Sequence, residues 1–142
     1  MRKLFFLLSL VISFHTYSQN YFDTTFSVRG YVCSCKYTTN IEEDNKLFDR
    51  SEVSAYYPGG EKEWEKYLKK NLNNDFKGKK NEFSVQFVIS KDGYLSDFRL
   101  LDRAVNQKYE EAIRVLKLSG KWFPAIQNGY CVKSYYRITF KF

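Results

Sequence analysis

The chain has 142 residues, with 23 Lys and Arg against 16 Asp and Glu for a formal charge of +7, three cysteines and a single histidine. One domain is the capacity of that length, and the surplus of base bears on association with anionic lipid, cell-wall polymer or an acidic partner rather than on fold. The only imidazole, His15, falls in a segment expected to be removed, which excludes Ser-His-Asp and Cys-His catalysis and histidine metal sites; no enzyme activity, cofactor, metal or nucleic-acid partner is expected.

Met1, Arg2 and Lys3 precede an apolar run at residues 4–14, followed by polar residues 15–20. A bilayer-spanning helix needs about 20 apolar residues, so this run reads as a secretory leader over residues 1–18, cleaved after about Ser18, and not as a permanent membrane anchor. Thr16 and Ser18 supply the small residues that the peptidase accepts, and no cysteine follows the cut to carry a lipid. The expected location is the periplasm. There Cys33, Cys35 and Cys131 meet oxidising conditions. Cys33 and Cys35 are one residue apart and join only with strain in an extended segment. Pairing of Cys131 with one of the two is therefore expected, contributing about 2–4 kcal/mol; a Cys33–Cys35 redox pair is the alternative.

Residues 19–55 form an N-terminal extension of weak pattern, with a strand expected at residues 26–32. Glu42, Glu43 and Asp44 lack the alternate spacing and the glycine of a Ca²⁺ loop, so residues 41–50 read as a solvated loop. Tyr56-Tyr57-Pro58-Gly59-Gly60 is a turn cluster. Over residues 61–72, Trp64, Tyr67, Leu68 and Leu72 recur at helical spacing, with Glu61 and Glu63 leading and Lys69 and Lys70 closing, as the helix dipole favours. A polar loop is expected at residues 71–81.

Phe83, Val85, Phe87 and Ile89 alternate along the clearest strand. Asp92-Gly93 supplies a tight turn to a partner strand over residues 94–101. Tyr109, Ala112, Ile113 and Leu116 mark a second amphipathic helix that ends at Ser119-Gly120. In the last strand Val132, Ser134, Tyr136, Ile138, Phe140 and Phe142 face the core, whereas Lys133, Tyr135, Arg137, Thr139 and Lys141 face water. These elements predict an α+β fold, two helices packed on one face of a three-stranded antiparallel sheet, with the strand order left open.

Tyr57-Pro58-Gly59-Gly60 before a helix, Phe87-Val88-Ile89-Ser90-Lys91-Asp92-Gly93, and Lys121-Trp122-Phe123-Pro124-Ala125 with Asn128-Gly129 occur in that order. This ordered set, over residues 56–142, resembles the TonB C-terminal domain. The resemblance implies a module that takes an extended peptide of an outer-membrane transporter or another envelope protein as an added strand. On this sequence Lys133, Tyr135 and Arg137 would face that peptide, and Trp122, Tyr57 and Pro58 would contribute to its groove. A cell-wall contact, or edge-to-edge pairing with a second copy or another envelope subunit in an assembly role, is the alternative. Two departures stand out: Cys131 replaces a proline common in the family, and no proline-rich linker is present, because Pro58 and Pro124 are the only prolines.

Overall fold

The computed structural model describes residues 22–37, 45–73, 82–102 and 106–141. The expected leader at residues 1–18, the acidic run at Glu42, Glu43 and Asp44, most of the polar loop at residues 71–81, and Phe142 lie outside them. Strands β1 (Phe22–Val28) and β2 (Tyr31–Tyr37) form an antiparallel hairpin in register from Phe22↔Tyr37 to Val28↔Tyr31. Where the sequence predicts one strand at residues 26–32, the chain reverses. Arg29 and Gly30 both adopt positive φ, 52° and 80°, the geometry that matches a two-residue turn to strand twist. Glycine takes that conformation without steric cost.

Strand β3 (Leu47–Phe48) is followed by the turn cluster and helix α1 (Gly60–Asn71). Gly59 enters the helix at φ 86°, a conformation closed to most side chains. Glu61 and Glu63 occupy the first turn and Lys69 and Lys70 the last. Strands β4 (Glu82–Ile89) and β5 (Leu95–Leu100) form the second hairpin, irregular between Gln86 and Val88. Helix α2 (Asn106–Leu118) leads to β6 (Ala125–Gln127) and the long β7 (Tyr130–Lys141), joined by Asn128-Gly129 with φ of 52° and 80°.

The three-stranded expectation is corrected. Among the described residues the sheet has seven strands, ordered β1-β2-β7-β4-β5, with β3 and β6 also paired to β7. The predicted strands are β4, β5 and β7. The four missed ones are a hairpin whose turn interrupts an apparent alternation, and two segments of two and three residues, too short to show a period. Both helices join β4 and β7 in one core: Trp64 from α1, and Ala112, Val115 and Leu116 from α2, meet Phe83, Val85, Phe87, Ile89 and Phe140.

The opposite side of the sheet is not simply wet. Val88, Phe123, Cys35 and Cys131 are buried there, outside the main core cluster. Cys35 and Cys131 form a disulfide across a Cα separation of 5.4 Å, and Cys33 remains a free thiol. Register explains the choice between the two cysteines. Parallel β2 meets β7 at Lys36↔Tyr130, a register that sets Cys35 level with Gly129, two residues from Cys131, and Cys33 two residues further off, so the bridge runs diagonally from Cys35.

Candidate functional site

β7 is the spine of the sheet, and its two edges have different fates. Antiparallel β4 pairs one edge continuously from Ile89↔Ser134 to Glu82↔Lys141. Parallel β3 also meets Ser134, through Phe48, so it must occupy the other edge. It stops there. Beyond it, among the described residues, no strand pairs with this second edge of β7 between Tyr135 and Lys141.

Hydrogen bonding on β4 shows which groups the open edge presents. Ser84 lies opposite Thr139, yet its carbonyl accepts from Leu101 N at 3.0 Å and its N–H donates to Asp102 Oδ2 at 2.6 Å. Its backbone therefore faces β5 and not β7. In an antiparallel ladder bonded and non-bonded pairs alternate, so the backbone groups of Arg137, Thr139 and Lys141, and the carbonyl of Tyr135 beyond the β3 bridge, point away from β4 to the open edge. Those of Ser134, Tyr136, Ile138 and Phe140 bond to β4.

Helix α1 stands along this edge and closes a groove of about 620 Å³. Trp64, Leu68 and Leu72 supply its apolar wall, and Arg137, Ile138, Thr139 and Lys141 its strand wall. Glu61, Glu65 and Lys69 rim the helix side. Trp64 is fixed from behind by edge-on contact with Trp122 at 5.1 Å and with Phe140 at 6.4 Å between ring centroids. Burial, and then the nearby Glu61 carboxylate, hold the Tyr136 hydroxyl above its ordinary range.

Of the residues singled out from sequence, Arg137 lies on the open edge and is exposed, and Tyr135 is half-buried beside it. Lys133 is half-buried and already paired to Leu47. Trp122 is 1% exposed and is tied through its indole N–H to Ser119 Oγ at 2.8 Å. Tyr57 and Pro58 are buried as well; the Tyr57 ring packs on Trp64 and Trp122 at 5.2 and 5.4 Å. Trp122 and Tyr57 support the groove from the core side, and none of the three lines it. Sequence reasoning missed the helix wall of Leu68 and Leu72, although their helical spacing with Trp64 is plain. What the spacing does not reveal is that this stripe extends past the core onto an open strand edge.

A second feature is unforeseen. Arg29, at the tip of the β1–β2 hairpin, donates to the Tyr57 hydroxyl and, at 2.7 Å, to the carbonyl of Ser119. Its guanidinium lies over the Tyr57 and Tyr67 rings at 5.3 and 5.8 Å. Burial raises both tyrosine hydroxyls above their ordinary range, against the lowering effect of Arg29. The Cys33 thiol sits beside Tyr56, whose hydroxyl is raised by burial first and by Cys33 second. Because Cys35 is committed to Cys131, the Cys33–Cys35 redox pair is not formed.

Among the described residues no helix is long and apolar enough to cross a membrane, and no cluster of three or more His, Cys, Asp and Glu is placed to hold a metal ion. Comparison with protein families, curated proteins and solved structures finds no match to this chain.

Proposed function

We propose that the protein is an exported, TonB-like binding module of the periplasm that captures an extended peptide of an envelope or outer-membrane transport protein as an added strand on β7. The observation that carries this reading is the coincidence, over residues 135–141, of outward backbone groups with an apolar groove beside them. Strand addition needs both: main-chain hydrogen bonds give affinity, and pockets for alternate side chains give preference. Apolar side chains of the added strand would turn toward Trp64, Leu68 and Leu72. Those on the other face would lie beside Arg137 and Lys141, where acidic residues form favourable cross-strand pairs of about 0.2–1 kcal/mol each. The disulfide agrees with an oxidising compartment.

Charge weighs against self-pairing as the main role. Two β7 edges joined to each other would gather two copies of Arg137 and Lys141 on one face of adjacent strands, and like charges so placed destabilise the pair.

Thr139→Pro tests the proposal directly. Proline removes one outward N–H and leaves the β4–β7 bonds, made by even-numbered residues of β7, in place; an edge strand tolerates it. Peptide-display selection against the exported protein is expected to enrich segments that alternate apolar with acidic or polar residues. The same segments should fail to bind a folded Thr139→Pro variant. Equal recovery by both proteins, or no enrichment over scrambled segments, sinks the proposal. Sedimentation as a dimer that Thr139→Pro dissociates would favour assembly instead.

A further inference from the structure

On the flank of α1 away from the groove, the surface is cationic. Arg29, Lys66 and Lys70 line one depression there with Tyr67 and Asn71. Lys117 and Lys121 line another with Tyr94 and Gly120. Arg29 joins the two, because its guanidinium bonds the Ser119 carbonyl at 2.7 Å and lies 3.6 Å from where a Gly120 Cβ would stand. Glu63 is the only acid among the residues lining either depression, and it is paired with Lys66 at 2.5 Å.

Two large exposed apolar side chains, Tyr94 within this band and Leu118 next to it in the chain, accompany the lysines. Leu118, between Lys117 and the Ser119 that Arg29 holds, is 59% exposed, and Tyr94 is 60% exposed. Lys121 Nζ rests 4.1 Å from the centre of the Tyr94 ring. An aliphatic and an amphipathic aromatic side chain standing out among lysines is the chemistry of the membrane interface. There apolar bodies enter the headgroup boundary while ammonium groups stay at the phosphates. A soluble polyanion would satisfy the lysines but gain nothing from Leu118.

We infer that this band docks the protein on an anionic phospholipid bilayer, with Leu118 and Tyr94 inserted and Lys117, Lys121 and Arg29 at the headgroups. Because α1 separates the band from the β7 groove, a protein so docked keeps its open strand edge free for a peptide. The inference stands on different residues from the proposed peptide site, so either can fail alone.

The test uses the protein purified from the compartment into which it is exported, its N-terminus checked by mass, in flotation with two kinds of vesicle. One kind is phosphatidylcholine alone; the other adds phosphatidylglycerol. Flotation is expected only with the anionic vesicles and is expected to weaken with salt. Lys117→Glu combined with Lys121→Glu should lower partitioning by about thirtyfold or more. Leu118→Ser should lower it severalfold, while Arg99→Glu on exposed β5 should leave it unchanged. Circular dichroism establishes that each variant is folded. Equal flotation with neutral vesicles, no flotation at all, or loss on charge reversal with Leu118→Ser unaffected would each overturn the inference; the last would assign the band to a polyanion.

Discussion

Removing the Cys35–Cys131 bond, in a Cys33→Ser background so that no substitute bond forms, is expected to free the β1–β2 hairpin and leave the core folded. The bond closes a separation of 96 residues, for which the chain-entropy estimate gives about 4.7 kcal/mol as an upper value. Other anchors of the hairpin are hydrogen bonds at its ends. β2 pairs in register with β7 at one residue pair, with Lys36 N donating to Gly129 O at 2.9 Å. Tyr37 donates to Lys91 O at 3.3 Å, and Arg29 reaches Tyr57 and Ser119. At about 1 kcal/mol net for each hydrogen bond, these anchors fall short of the cost of ordering the hairpin residues, each about 1–2 kcal/mol for the backbone alone.

The variant should therefore lose about 2–4 kcal/mol, with a smaller urea dependence because less surface remains to be exposed on unfolding. Urea unfolding read by tryptophan fluorescence reports on the core, since Trp64 and Trp122 both belong to it. Hydrogen exchange resolves the hairpin. The expected pattern is an intact cooperative tryptophan transition with fast-exchanging β1 and β2 amides beside protected β4 and β7 amides. An unchanged midpoint with slow hairpin amides would refute the reasoning, and so would collapse of the tryptophan transition.

Ser134 is 3% exposed and its Oγ has no hydrogen-bond partner among the described residues, so Ser134→Ala should raise stability by up to about 1 kcal/mol in urea unfolding. Glu111 accepts Arg114 Nε and Nη2 at 2.7 and 2.6 Å and the Asn73 N–H at 2.8 Å, tying α2 to the end of α1. Hydrogen bonding from Arg114 holds its carboxyl below the ordinary 4.5. A lowered folded-state pKa stabilises the protein above the unfolded value, and that contribution is lost as pH falls through the folded value. Glu111→Gln should cost about 1–2 kcal/mol at neutral pH, since Arg114 is partly exposed and the pair is screened. The gap between variant and parent should narrow in urea titrations below about pH 4.

The helices and the three long strands were legible because their side chains keep one period over many residues. Trp64, Leu68 and Leu72 mark α1, and Phe83 through Ile89 mark β4. The N-terminal hairpin was not, because Phe26, Val28 and Val32 alternate across Arg29-Gly30 as if no turn intervened; the glycine was the available warning. Neither β3 nor β6 has a pattern of its own, and each is a strand only because β7 offers it a partner. The disulfide was legible as far as Cys131 and no further, because Cys33 and Cys35 share a face and register alone separates them. For the candidate site, alternation along β7 showed which side chains face out, Arg137 among them. That the edge beside them is open depends on where β3 stops, and no residue of β7 encodes that.

The alternation of β7 also separates two kinds of constraint on mutation. Tyr136, Ile138 and Phe140 hold the sheet through their backbones and the core through their side chains. Arg137, Thr139 and Lys141 are exposed, and among the described residues no strand takes up their backbone groups. Substitutions at these three positions are thus expected to cost the fold little, and on the proposed reading they would alter the choice of peptide. On that reading a lineage carrying this domain could drift through many binding preferences on one unchanged scaffold.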